Sequence, residues 1–150
     1  MDLNSSGALT LSTPTSTAWL GVFMGGYKLD TAQTTPFSYF NAYVLSTTAV
    51  AGSVFGYVNV DPSASYYGRV SAGPLATTDV GANVTFVAGT VNTTTGLSTD
   101  LIGATVTTLN TAPFRLISIT GPIGNDPASS YNIVQVKLNA STLTNTTGTV

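Results

Sequence analysis

The sequence predicts an all-β domain, a jelly-roll-like or Ig-like β-sandwich of about seven to eight short antiparallel strands with extended terminal arms. Short runs of alternating apolar and polar residues recur along the chain, and turn-forming Gly, Pro, Asn and Asp separate them. No stretch keeps an i, i+3, i+4 apolar spacing, and β-branched residues and Gly, which are poor helix formers, are abundant. Strands at regular spacing with turns between them are typical of sandwiches.

Eight segments carry this strand pattern. In chain order they are 17–28 (TAWLGVFMGGYK), 38–44 (SYFNAYV), 54–60 (VFGYVNV), 65–72 (SYYGRVSA), 82–89 (ANVTFVAG), 104–109 (ATVTTL), 114–120 (FRLISIT) and 131–138 (YNIVQVKL). The pattern at 104–109 is the weakest. The last two segments form the clearest pair, because the turn-rich stretch GPIGNDP joins them.

Alternation assigns side chains of several strands to opposite faces. In the first strand the faces are Leu20, Val22 and Met24 against Trp19, Phe23 and Tyr27. Val84 and Phe86 share a face of 82–89. In the last strand Val134, Val136 and Leu138 face one way, and Gln135 and Lys137 face the other.

Both ends of the chain differ from this body, because they are tracts of Ser, Thr, Asn and Gly with few apolar anchors. We therefore expect three parts. Residues 1–16 form an arm that is flexible or bound to a partner, residues 17–139 form the sandwich domain, and residues 140–150 form a tail.

The composition argues against enzymatic chemistry. The chain has no His, Cys or Glu, so most acid–base and nucleophilic constellations cannot be assembled. Its six acidic residues are isolated Asp side chains, most of them beside turn residues, and we expect them to accept N–H groups within turns. We predict a protein that is not an enzyme and binds no cofactor or metal.

Charge and hydropathy bear on partners. Charged residues make up 7% of the chain, which suits a surface largely covered by partner proteins; the alternative is a neutral Thr-rich surface in contact with water. The four basic residues are scattered, so no nucleic-acid footprint is expected. No apolar run is long enough for a membrane span, and no signal-peptide pattern opens the chain.

Aromatic residues concentrate on three consecutive predicted strands. They are Tyr39, Phe40, Tyr43, Phe55, Tyr57, Tyr66 and Tyr67. Such a set anchors a protein interface, stacks against sugars, or divides between core and cross-strand surface pairs. As interface candidates we take Tyr39, Tyr43, Tyr66 and Tyr67.

Arg115 interrupts the apolar run at 114–120. Alternation points it away from Phe114 and Leu116 and places it beside Ile117 and Ile119. An Arg among apolar neighbours lies at a subunit seam, where it pairs bidentately, or extends along the surface. We favour the seam, and we add Lys137 of the last strand to the predicted interface.

Several motifs, taken in order, resemble the auxiliary capsid proteins of tailed phages, known as cement or head-decoration proteins. They are LGVFMGGYKL (20–29), FSYFNAY (37–43), YVNVDP (57–62), VGANVTFVAGTVNTTTGLS (80–98), PFRLISI (113–119) with GND (124–126), and YNIVQVKLN (131–139). The likeness covers most of residues 19–139. The chain departs from the family pattern at Gly26, where Cys is frequent, and in its C-terminal tail.

This resemblance implies a non-enzymatic β-sandwich that binds the outside of an icosahedral phage head. Its partners would be the major capsid protein and further copies of itself, as a dimer or trimer at local two-fold or three-fold positions. It would be made in the host cytoplasm and located in the virion. Two other functions fit the same residues: a glycan-binding module of a phage fibre, and a self-assembling surface or shell subunit.

Overall fold

The protein is an all-β structure, as predicted. The computed structural model describes residues 1–3, 9–10, 12–14, 16, 19–29, 37–40, 54–90, 99–119 and 123–139. These ranges contain β-strands, one 3-10 turn at Thr77–Asp79 and no α-helix. Within them, no helix has the length and apolar character needed to cross a membrane.

The strands are β1 (Asp2–Leu3), β2 (Leu9–Thr10), β3 (Val22–Leu29), β4 (Phe37–Phe40), β5 (Val54–Asn59), β6 (Ser65–Arg69), β7 (Asn83–Val87), β8 (Leu101–Thr107), β9 (Phe114–Ser118) and β10 (Ile133–Leu138). Each of the eight predicted segments overlaps one of β3 to β10. The largest difference in a starting residue is at the first strand, where regular pairing begins at Val22 rather than at residue 17.

The larger sheet has five antiparallel strands in the order β6-β10-β9-β7-β8. Its two outer strands meet at one end, where Val70 forms a parallel bridge with Ile102 and the Ser71 N–H donates to the Ile102 carbonyl at 2.8 Å. The approach is close, since a Cβ on Gly68 would lie 2.5 Å from Cγ1 of Ile102. The contact covers part of each edge, which would otherwise present unpaired backbone groups.

The core lies against this five-stranded sheet. Its buried cluster consists of Val70, Leu75, Val84, Ile102, Leu116, Ile119, Val134 and Val136. Burial in β10 alternates strictly, with Val134, Val136 and Leu138 inside, so the predicted faces of this strand are confirmed. Full burial of each such aliphatic side chain contributes about 1.5–3 kcal/mol.

A β-bulge in β9 corrects one predicted face. Leu116 pairs with Val136 and Ser118 pairs with Gln135, so Ile117 is an extra residue on β9. An extra residue reverses the alternation that follows it. Ile119 therefore lies in the core at 5% exposure, and its predicted place on the Arg115 face is wrong.

The smaller sheet has three antiparallel strands in the order β4-β3-β5. A second bulge interrupts β3, because Phe23 pairs with Val58 while Gly25 pairs with Tyr57, which leaves Met24 as the extra residue. Met24 is 59% exposed, whereas Leu20 is buried. The unbroken alternation predicted for this strand therefore fails at Met24.

The start of the chain is bonded to the segment that leads into β3. The Met1 ammonium group donates to the Gly21 carbonyl at 2.9 Å, and the Leu20 N–H donates to the Met1 carbonyl at 2.8 Å. Trp19 then packs edge-on against Phe86 of β7, with ring centroids 5.1 Å apart. Two main antiparallel sheets with this ring contact between them are consistent with a β-sandwich.

Asparagine side chains close the turn between β9 and β10. Asn125 donates from Nδ2 to the carbonyls of Ile133 (2.9 Å) and Ile119 (3.3 Å), and its Oδ1 accepts the Ile133 N–H at 2.7 Å. Asn132 is fully buried and donates from Nδ2 to the carbonyls of Leu75 and Pro127. These amides extend the sheet beyond the backbone ladder and fix the position of the turn.

Candidate interaction surfaces

A row of polar side chains crosses the outer face of the five-stranded sheet; we call it the basic row. The strand registers place Lys137 opposite Arg115, Arg115 opposite Asn83, and Asn83 opposite Thr107. Two of the four basic residues of the chain thus lie side by side. Like charges directly opposite each other on antiparallel strands are unfavourable, by up to about 1 kcal/mol.

The Arg115 guanidinium is held in place at one corner. Its Nε donates to the Gly81 carbonyl at 2.9 Å. The turn that contains Gly81 and Ala82 is itself bonded to β9. The Gly81 N–H donates to the Leu116 carbonyl and the Leu116 N–H donates to the Ala82 carbonyl, both at 2.9 Å. Gly81 has a φ of +94°, a conformation that other residues adopt only with strain.

The two Nη atoms of Arg115 form no hydrogen bond or ion pair within the described ranges. Arg115 borders an open cleft of about 360 Å³ whose lining is otherwise neutral: Gly81, Ala82, Asn83, Thr107, Thr108 and Asn139. Asn83 and Asn139 use their amide N–H groups on the carbonyls of Leu109 and Ala112. The cleft therefore offers a preorganised guanidinium fork in polar, uncharged surroundings.

The second surface is aromatic and lies on the three-stranded sheet. Tyr27 of β3 stacks on Phe55 of β5, with centroids 4.9 Å apart and planes inclined by 13°. The ring of Tyr57 lies 5.9 Å from that of Tyr27, with the planes inclined by 39°. Phe55 is 42% and Tyr57 52% exposed. We call Tyr27, Phe55 and Tyr57 the aromatic face.

The structure separates the two neighbouring tyrosines that the sequence placed in an interface. Tyr66 packs against the core, and its hydroxyl is buried without a hydrogen-bond partner among the described residues. Burial raises the pKa of Tyr66, and the negative charge of Asp61 raises it further. Tyr67 points the other way and is 62% exposed.

The remaining predicted interface residues lie in different parts of the chain. The backbone of Tyr39 lies on β4 and pairs with Tyr27, and Tyr43 lies outside the described residues. Arg115 is exposed and Lys137 half-buried, on one face as described above. All six interface assignments stay predictions.

Sequence reasoning did not select the aromatic face as the site. The i, i+2 spacing of Phe55 and Tyr57 on one strand was a usable signal. Tyr27, which contacts both rings, is nearly thirty positions away in the chain, and only the β3–β5 register brings it beside them. The same holds for Asn83, which the β7–β9 register places beside Arg115.

Three acidic side chains accept N–H groups within turns, as the sequence indicated, and Asp100 accepts one from Gly89 across the β7–β8 connection. Backbone N–H groups donate to Asp61, Asp79, Asp100 and Asp126 at 2.7–2.9 Å. The pKa of Asp61 is lowered by the Ser63 hydroxyl and then by the Ser63 N–H. In the described part of the chain, no three acidic residues come together as a metal site would require.

Comparison with known protein families, curated proteins and solved structures gives no match. The function must therefore be argued from the two surfaces and from the sequence motifs.

Proposed function

We propose that this chain is a capsid decoration protein, a non-enzymatic virion component that binds the outer surface of an assembled phage head. Its partners would be the major capsid protein and other copies of itself. The ordered motifs that resemble cement proteins support this proposal, as does the low charge of the chain. Such a protein acts by stabilising contacts between neighbouring shell subunits.

The aromatic face is the observation that carries the proposal. Phe55 and Tyr57 are each at least 42% exposed, and both adjoin Tyr27. Contiguous exposed apolar surface in a soluble domain marks an interaction site. Aromatic residues and Met are enriched in protein interfaces, where Tyr combines apolar area with a hydroxyl.

The mechanism is binding linkage rather than chemistry. A protein that binds the closed shell and not its open form stabilises the closed form by RT ln(1 + [L]/Kd), about 2.7 kcal/mol at a hundredfold excess over Kd. Many copies on one shell add their contributions. Modest contacts at each site are therefore sufficient.

The test mixes purified protein with undecorated, expanded heads of its own phage, followed by sedimentation and a heat challenge. We expect co-sedimentation at a fixed copy ratio and a raised rupture temperature. Replacing Tyr57 by Ser should weaken binding by about tenfold or more, the range of an interface anchor. Tyr131→Ser is the matched control, because Tyr131 is 50% exposed but stacks under Arg69 on the other sheet.

Absence of binding to heads would refute the decoration role. A second candidate function would then come forward, because the adjoining rings of Tyr27, Phe55 and Tyr57 are also suited to stacking on sugar rings. A glycan array probed with wild type and Tyr57→Ser separates the two functions. Filaments or sheets formed by the purified protein alone would instead indicate a self-assembling subunit.

A further inference from the structure

The arrangement of Arg115 and Lys137 is difficult to explain by stability alone. Their strands place them directly opposite each other on the outer face, where two positive charges repel. Neither forms an ion pair with an acidic side chain in the described ranges. An anion bound between them would turn this repulsion into attraction.

We propose that the basic row is a carboxylate-binding site that receives an acidic side chain of the shell subunit. This partner assignment rests on the decoration role proposed above. The Nε of Arg115 is occupied by the Gly81 carbonyl, which leaves both Nη atoms to hold the two oxygens of one carboxylate. Lys137 supplies a second positive charge beside it.

The surroundings favour a carboxylate over a phosphate backbone. The row carries two cations, Arg115 and Lys137, the cleft beside Arg115 adds no further one, and the chain carries a net charge of −2. Protein surfaces that bind nucleic acid neutralise several phosphates at once and carry many basic residues along one face. A single carboxylate on a neutral protein surface matches one guanidinium and one ammonium group.

The experiment on heads compares affinities at low and high salt for wild type, Arg115→Gln, Lys137→Gln and Arg69→Gln. We expect the first two variants to bind about tenfold more weakly at low salt and to lose part of the salt dependence. Arg69→Gln is the matched control, because Arg69 is an exposed strand residue that stacks on Tyr131 away from the row. Equal affinities for wild type, Arg115→Gln and Lys137→Gln would overturn the proposal.

A second measurement separates binding from folding. Lys137→Gln removes the repulsion without removing a hydrogen bond of the described structure, so the isolated variant should melt no lower than wild type. A lower Tm would show that Lys137 serves stability and would overturn its role in the site. Arg115→Lys keeps the charge without the fork and should lie between wild type and Arg115→Gln in affinity.

The third measurement uses no heads, so it distinguishes this proposal from the decoration role. An acetylated Glu-Gly-Glu peptide is titrated into 15N-labelled protein, with a Gln-Gly-Gln peptide and inorganic phosphate as references. We expect saturable shifts at the Arg115 Nε–H and the Gly81 amide with the Glu peptide only, and no shift at the Gly81 amide in Arg115→Gln. Equal response to the Gln peptide, stronger response to phosphate, or no response would refute the carboxylate site. Failure to bind heads, with this response intact, would refute only the shell partner.

Discussion

Replacing Asn125 by Asp is expected to lower the free energy of unfolding at neutral pH. At low pH the variant should be nearly as stable as wild type. Oδ1 of Asn125 accepts the Ile133 N–H at 2.7 Å, and Nδ2 donates to the carbonyls of Ile133 and Ile119. An ionised Asp keeps the acceptor. It loses the donor, and it places a negative oxygen against two carbonyl oxygens.

The magnitude follows from these contacts. The bond to the Ile133 carbonyl at 2.9 Å is the better of the two donated bonds. Losing it removes about 1 kcal/mol, and leaving part-buried carbonyls unpaired beside a charge costs at least as much again. A total of about 2 kcal/mol corresponds to a fall in Tm of roughly 4–8 °C for a chain of this size.

The pH dependence has a definite sign. The two carbonyls favour the protonated acid, so the pKa of the new carboxyl is raised in the folded state above its unfolded value of about 3.9. Below the unfolded pKa the protonated Asp donates as Asn does, and the variant approaches wild type. That stability is lost as the pH rises through the folded pKa.

The free energy of unfolding is measured by urea titration from about pH 3 to 7. The fluorescence of Trp19 reports the transition, because it is the single tryptophan of the chain and is buried. Asn125→Ala should lose a similar free energy at every pH, because it has no group to titrate. Asn110→Asp, on an exposed turn, is the control for added charge. A constant difference between Asn125→Asp and wild type across this range would refute the reasoning, as would equal pH dependence in the control.

Other outcomes follow from single contacts. Tyr66→Phe should raise Tm by about 2–4 °C, because it removes a buried hydroxyl without a partner in the described structure. Tyr67 is exposed, so Tyr67→Phe should change Tm little. A lower Tm for Tyr66→Phe would contradict this. Since the pKa of Tyr66 is raised, the folded state keeps the phenolic proton, and stability falls as the pH rises above the unfolded pKa of about 10. Tyr66→Phe has no such proton, so its Tm should fall less than that of wild type at alkaline pH. Gly68→Ala should lower the free energy of unfolding by about 1–3 kcal/mol, because the new Cβ would lie 2.5 Å from Ile102. In an Ile102→Ala background the same substitution should lower it much less. Strict additivity in the double variant, measured by urea unfolding, would show that the two positions are not coupled.

Strand positions were predictable because alternation and turn residues are local signals. The bulges were not, since a bulge is defined by the register against a strand far away in the chain. Ile117 and Ile119 show the difference. Their spacing predicts a shared face, and only pairing with β10 reveals that an extra residue at Ile117 turns Ile119 into the core.

The basic row and the turn amide were predictable only in part. Arg115 and Lys137 were recognised as polar interruptions of apolar strands, but their adjacency depends on the β9–β10 register. Asn125 reads in sequence as a turn residue. Its pairing with Ile133 depends on the fold of the whole turn, and no local pattern marks an amide that substitutes for a backbone pair.

The position of β10 has a consequence for how the chain acquires its structure. This strand is the last of the five-stranded sheet to be synthesised, yet it lies between β6 and β9. Until residues 133–138 leave the ribosome, β6 lacks the neighbour that anchors it along its length, and β9 has a partner on one side only. Pairing between strands that are far apart in the sequence, such as β6 and β10, is slow. We therefore expect the sheet to form late and in one cooperative step, and nascent chains that stop before residue 133 to expose strands prone to aggregation.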